Sequence, residues 1–222
     1  MNCNHRQAER GNVIFYIFLA VALFGALSFA VSQSGRDSGD SATLQQNRLR
    51  ATEIIDYGDA VAKGVGMIRL RGTTLSTLSF SSTGTSENSV FAVDGGGINY
   101  RTPSSDVTTT GTETYQFLTG NAVQGVGTTC AAASCVELLM VLGKVKAPVC
   151  TTINQLAGIN PPDFTPPVDT AIDLSHPFTG TMVYGAKIGD DATSISLNGQ
   201  MYGCLQNDVD KAYYYYRVLW QQ

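Results

Sequence analysis

Apolar residues crowd one end of this chain. Val13 to Val31, VIFYIFLAVALFGALSFAV, is a run of nineteen residues without a charge. Wound as a helix, such a run would cover about 28 Å, close to the roughly 30 Å of a bilayer's hydrocarbon core. A helix packed in an ordinary core carries a polar stripe, and this run has none. The next ten residues, SQSGRDSGDS, are small and polar and contain Gly35 and Gly39, which reads as a break or short linker. Asp40 or Ser41 then stands where a helix cap belongs. From there Leu44, Ala51, Ile54, Ile55, Val61, Val65 and Ile68 recur at three- and four-residue spacings, with Arg48, Arg50, Glu53, Asp56, Asp59 and Lys63 between them. That pattern predicts an amphipathic helix over residues 42–71. Gly58, Gly64 and Gly66 weaken its propensity, by about 1 kcal/mol each against alanine, so its stability must come from the stripe it buries.

Beyond Gly72 the period changes. Serine, threonine, glycine and asparagine become frequent, and short β-type runs appear at Ser89–Val93, Gly97–Arg101, Thr114–Leu118, Gly180–Tyr184, Thr193–Leu197 and Ala212–Trp220. Gly95-Gly96-Gly97 after Asp94 suggests a turn between two of them. Cys135–Leu142, with its ELLMVL core, and Val149–Leu156 read as short helices or helical turns. Pro161, Pro162, Pro166 and Pro167 impose an extended connection. In the closing KAYYYYRVLWQQ, Tyr213 and Tyr215 alternate with Tyr214 and Tyr216. One pair is expected against the long helix, the other toward solvent or a neighbouring subunit. The pattern as a whole predicts an α+β fold: a long N-terminal hydrophobic helix and an amphipathic helix, the latter packed on a mostly antiparallel β-sheet head with disulfides. The segments are then 1–11, 12–31, 32–41 and an extracytoplasmic head over 42–222.

Composition narrows the function. Charged residues are 14% of the chain against 43% hydrophobic, and the net charge is −4. No basic face is available, which argues against a nucleic-acid partner. Arg6 and Arg10 precede the apolar run and are partly offset by Glu9, a small bias that places the N-terminus inside. The expected location is the bacterial inner membrane, crossed once, with the head in the periplasm or on the cell surface. A removable signal would have an apolar run of about 7–15 residues, so an uncleaved anchor matches the length better. Of five cysteines, Cys3 falls in the leader. Cys130, Cys135, Cys150 and Cys204 form an even set outside, for which three pairings are possible. Cys130–Cys135 and Cys150–Cys204 are the preferred bridges, and they imply an oxidising compartment. Zinc is disfavoured because the spacings, CxxxxC and then fifteen and fifty-four residues on, fit no compact ligand box well.

Little in the sequence carries chemistry. The histidines are His5 in the leader and His176 in a Ser-His-Pro turn without a nucleophile elbow, so a Ser or Cys nucleophile lacks its usual base. Glu87, Glu113 and Glu137 are the available carboxylates for an anchored hydrolase, and no motif supports them. Asp208 and Asp210 are candidate calcium ligands, though they lack the EF-hand pattern. The chain reads as non-enzymatic, with no cofactor other than possible calcium.

Over roughly its first 70 residues the chain resembles the type IV pilins and pseudopilins. The leader MNCNHRQAERG ends at Gly11, and the apolar run follows at once. The resemblance implies cleavage between Gly11 and Asn12, and a pilin-like fold. It also implies a role as a structural component of a surface filament or secretion apparatus, held to itself or to other pilin-like subunits through the hydrophobic helix. Where the family carries Glu as the fifth residue after the glycine, this chain has Tyr16. A membrane-anchored binding or adhesion domain that does not polymerise is the alternative.

Overall fold

The computed structural model describes residues 13–128, 132–159, 165–170 and 172–221, and within its long helix the side chains of residues 30–41 lie outside the description. Gly11, Asn12 and Cys130 are likewise outside it. The chain divides into two compact units, Met1–Gln46 and Asn47–Gln222.

Helix α1 runs Val13–Leu70 as one element of 58 residues. The expected pair of helices separated by a polar break at 32–41 is therefore wrong, and the pilin-type fold class built on a separate apolar helix falls with it. The helix is long without being apolar along its length. Among the described residues no helix is long and apolar enough to cross a membrane. The single-pass inner-membrane placement is corrected on that ground.

Within the second unit, α1 buries Ala51, Ile54, Tyr57, Val61, Val65 and Ile68. All but Tyr57 are expected stripe positions, and together they meet Leu138, Met140, Leu142 and Tyr215 in one core cluster; of the other expected positions, Leu44 is exposed and Ile55 half-buried. The remaining described elements are β1 (Gln116–Val123), β2 (Glu137–Leu142), α2 (Ala147–Leu156), β3 (Val168–Asp169), β4 (Tyr184–Ile188), β5 (Tyr202–Asn207) and β6 (Tyr213–Trp220), with one-turn 3₁₀ helices at Leu75–Thr77, Ala133–Cys135 and Ile195–Leu197. One six-stranded sheet has the order β3-β5-β6-β2-β1-β4. Its centre is antiparallel (β1–β2, β2–β6, β5–β6), while each edge strand pairs in parallel, β4 on β1 and β3 on β5. Three of the five pairings are thus antiparallel, as expected, and the two edge pairings are parallel because long connections return the chain to both edges in the same direction.

Both faces of the sheet are covered. On the face away from α1, Leu139, Val141, Tyr214, Tyr216 and Val218 pack with Leu118, Val123, Ile159, Ile172, Ile188 and Leu197 in a second cluster. Tyr214 and Tyr216 are buried there and do not meet solvent. Double coverage also explains β2: all six of its residues are buried, so ELLMVL has no polar alternation and is a strand, not the helical turn expected. Cys150 on α2 and Cys204 on β5 are joined by a disulfide with Cα atoms 5.4 Å apart. Beside it the Asn154 amide donates to the Cys204 carbonyl at 2.7 Å and accepts from its N–H at 2.8 Å. Cys135 is also disulfide-bonded.

Candidate functional site

The first unit carries the most unusual surface. Five consecutive residues, Ile14 to Phe18, are 57–70% exposed, as are Leu23 and Phe24 at 63% and 72%. At 100° per residue five consecutive positions go right round a helix, so no side of this stretch is polar. Phe15, Tyr16, Phe18, Phe24 and Phe29 are all among the exposed. Aromatic rings of this kind contribute about 150–250 Å² each when covered, whereas the largest apolar patch of a monomer is about 300–600 Å². A surface of this extent is one that other apolar groups cover.

The second unit holds four polar constellations. The first ties residues 173–178 to β1. Asp173 N–H donates to Asn121 Oδ1 at 2.7 Å, and Asn121 Nδ2 donates to the Asp173 carbonyl at 2.8 Å. Thr119 N–H reaches the His176 carbonyl at 2.9 Å and Phe178 N–H the Phe117 carbonyl at 2.8 Å. Within this segment the Asp173 carboxylate accepts from the Ser175 N–H and hydroxyl through Oδ1 and meets His176 Nδ1 at 2.5 Å through Oδ2. Burial raises the pKa of Asp173, but the Ser175 and His176 contacts outweigh it and hold the group below the usual carboxylate range. Because Ser175 Oγ lies 3.1 Å from the same Nδ1 that faces Asp173, the three do not form a nucleophile–base–acid relay, which needs both ring nitrogens. The carboxylate sits on two glycines: a Cβ at Gly120 or at Gly185 would run into Asp173 Oδ2. His176, expected as a solvated turn residue, is instead part of this tie.

The second constellation is Glu137, the first residue of β2. Its side chain is fully buried. Val123 N–H donates to Oε2 at 2.7 Å, and among the described residues Oε1 has no hydrogen-bond partner. Burial, opposed by the Val123 N–H and its own N–H, pushes its pKa up to about 7. The third is Glu113, paired with Lys144 Nζ at 2.9 Å and lowered in pKa by that ammonium. Glu87 is exposed in a loop. None of the three glutamates lines the cleft of about 550 Å³ between α1 and residues 97–101, nor the smaller one of about 250 Å³ bounded by Phe117, Leu118, Leu174 and Pro177. The fourth is the β5–β6 turn. Asp208 Oδ1 pairs with Lys211 Nζ at 2.5 Å, and Asp210 accepts from Ala212 N–H at 3.0 Å and the Tyr214 hydroxyl at 2.6 Å. Both calcium candidates thus have protein partners. Among the described residues no three His, Cys, Asp or Glu side chains come together as a ligand set.

Sequence reasoning missed the Asp173–His176 tie and the sealing of Glu137. The first joins residues some fifty positions apart, and its only local trace was the glycine at Gly120. No protein-family model matches the chain. No curated protein matches it, nor does any solved structure.

Proposed function

We propose that the chain is a structural subunit of a bacterial surface filament or secretion apparatus, of the kind that pilins and pseudopilins exemplify in role. The observation that carries this reading is the stretch Ile14–Phe29, apolar all round and exposed. Its occupant in this reading is the same stretch of further copies, since a helix without a polar side packs against several like helices at once rather than lying on one surface. The resemblance of the first 70 residues to that group points the same way. In this reading the second unit is the displayed head, its core closed by the Cys150–Cys204 bridge, and the assembly rather than any reaction is its work.

The test is proximity in cells. Ala20→Cys and Ala26→Cys combined in one chain, in a Cys3→Ser background, followed by oxidation and non-reducing electrophoresis, should give a ladder of multimers. Phe18→Glu combined with Phe24→Glu should abolish the ladder while leaving the head folded. A monomer band alone from the unmutated stretch would overturn the reading in favour of a binding domain that does not polymerise.

A further inference from the structure

Glu137 is an expensive residue to keep. A carboxyl group removed from water is tolerated when protonated and costly when ionised unless its oxygens are matched by donors. Here the donors are the Val123 N–H and the residue's own N–H, and Oε1 has no hydrogen-bond partner among the described residues. Among the described residues no cation pairs with it. Strand β1 contains no charged residue, β2 contains only Glu137, and the 3₁₀ turn Ala133–Cys135 contains none. On β4, Lys187 is engaged with Asp190 at 3.3 Å. On β6, Arg217 is engaged with Asp59 of α1 at 3.1 Å, and β6 pairs it with Met140, whose side chain belongs to the α1 side of the sheet. Glu137 alternates with Leu138 and Met140 and so shares the other face with Leu139 and Val141.

Its position in the sheet gives the group leverage. The β1–β2 register shifts between Leu118 and Asn121, and so does the β1–β4 register, between Gly120 and Asn121. Glu137 pairs with Asn121 immediately after this bulge, and its carboxyl holds the N–H of Val123, the last residue of β1. Asn121 in turn carries Asp173. We propose that Glu137 is a proton-dependent lock on this end of the sheet: protonated, it seals β1 against β2 and β4, and ionised, it draws in water and frees the Asn121–Val123 segment. The balance is one proton exchanged with solvent, and no covalent bond changes. The upward shift of its pKa by burial agrees with this and places the transition across neutral pH.

The unmodified protein suffices for the test. The Glu137 carboxyl is followed by 13C chemical shift, and the Val123 amide by hydrogen exchange, from pH 4 to 9. The carboxyl should titrate near neutrality rather than near 4.3. Val123 exchange, corrected for hydroxide catalysis, should rise by up to roughly 500-fold across the same range, the factor that about 2.7 pKa units imply. Glu137→Gln, which keeps an acceptor for Val123, should remove the pH dependence. A titration in the ordinary glutamate range would overturn the proposal, as would Val123 exchange that follows hydroxide alone.

Discussion

Gly185 and Gly120 are where single atoms matter most. The Asp173 carboxylate lies so close over both that a methyl group at either would overlap its Oδ2. Gly120 also has a positive φ of 97°, which most side chains resist, whereas Gly185 does not, so Gly185 tests the packing alone. Gly185→Ala should cost about 2 kcal/mol or more, by forcing Asp173 away from Ser175 and His176. Asp173→Ala should also destabilise, because it strips those donors of their acceptor. The double variant should lose less than the sum, since the methyl then has room. Urea midpoints for the four proteins give the coupling directly. Additive losses would mean that the glycine serves something other than the carboxylate.

At the scale of elements, glycine has opposite effects at two places on α1. A Cβ at Gly58 would strike the Tyr215 hydroxyl and crowd Met140 Cε at 3.2 Å, whereas one at Gly66 meets nothing within 4 Å. Gly66→Ala should therefore stabilise the second unit by about 0.5–1 kcal/mol through helix propensity. Gly58→Ala should destabilise it despite the same propensity gain, because Tyr215 is fully buried against the helix. Thermal melts of the two variants should move in opposite directions. The helical stripe behind this contrast was legible in the sequence, since Ala51, Ile54, Val61, Val65 and Ile68 keep a helical period. So was β6, where four tyrosines in a row favour no other element. The six-residue ELLMVL was not, because a strand buried on both faces has no period to read. Strand β5, YGCLQN, gave no signal: Gly203 and Gln206 dilute it, and its place is set by β6 on one side and by Cys150 on the other. The loop runs expected as strands at Ser89–Val93 and Gly97–Arg101 are turns and coil, where Gly95 and Gly96 let the main chain fold back on Ser89 and Val90. The uninterrupted α1 was hidden by Gly35 and Gly39, which local propensity reads as a break.

For the whole molecule, the buried and paired acids oppose one another as pH changes. Asp106 is held below its usual pKa chiefly by the Ser104 hydroxyl, with Arg50 adding, Glu113 chiefly by Lys144, and Asp191 chiefly by the Thr170 hydroxyl. A group whose folded pKa is depressed stabilises above its unfolded pKa and loses that contribution as pH falls through the folded value. These three therefore weaken the fold below about pH 4. Glu137 has the opposite sign. With a folded pKa of about 7 against roughly 4.3 unfolded, the native state holds the proton more tightly, so stability falls as pH rises from about 4.5 to 7 and is level beyond. The full effect is on the order of 4 kcal/mol, from 1.36 kcal/mol per pKa unit. Above pH 10 Tyr115, Tyr214, Tyr215 and Tyr216, all raised chiefly by burial, add a further loss as they are forced to ionise. Stability should therefore peak near pH 5, with a plateau from about 8 to 10 that lies lower. Urea midpoints at pH 3, 5 and 8 measure this profile. In Glu137→Gln the drop between 5 and 8 should vanish while the acid limb stays. If the wild-type profile is instead flat from 5 to 8, the carboxyl is solvated in both states and the sealed end of the sheet is not where its energy is set.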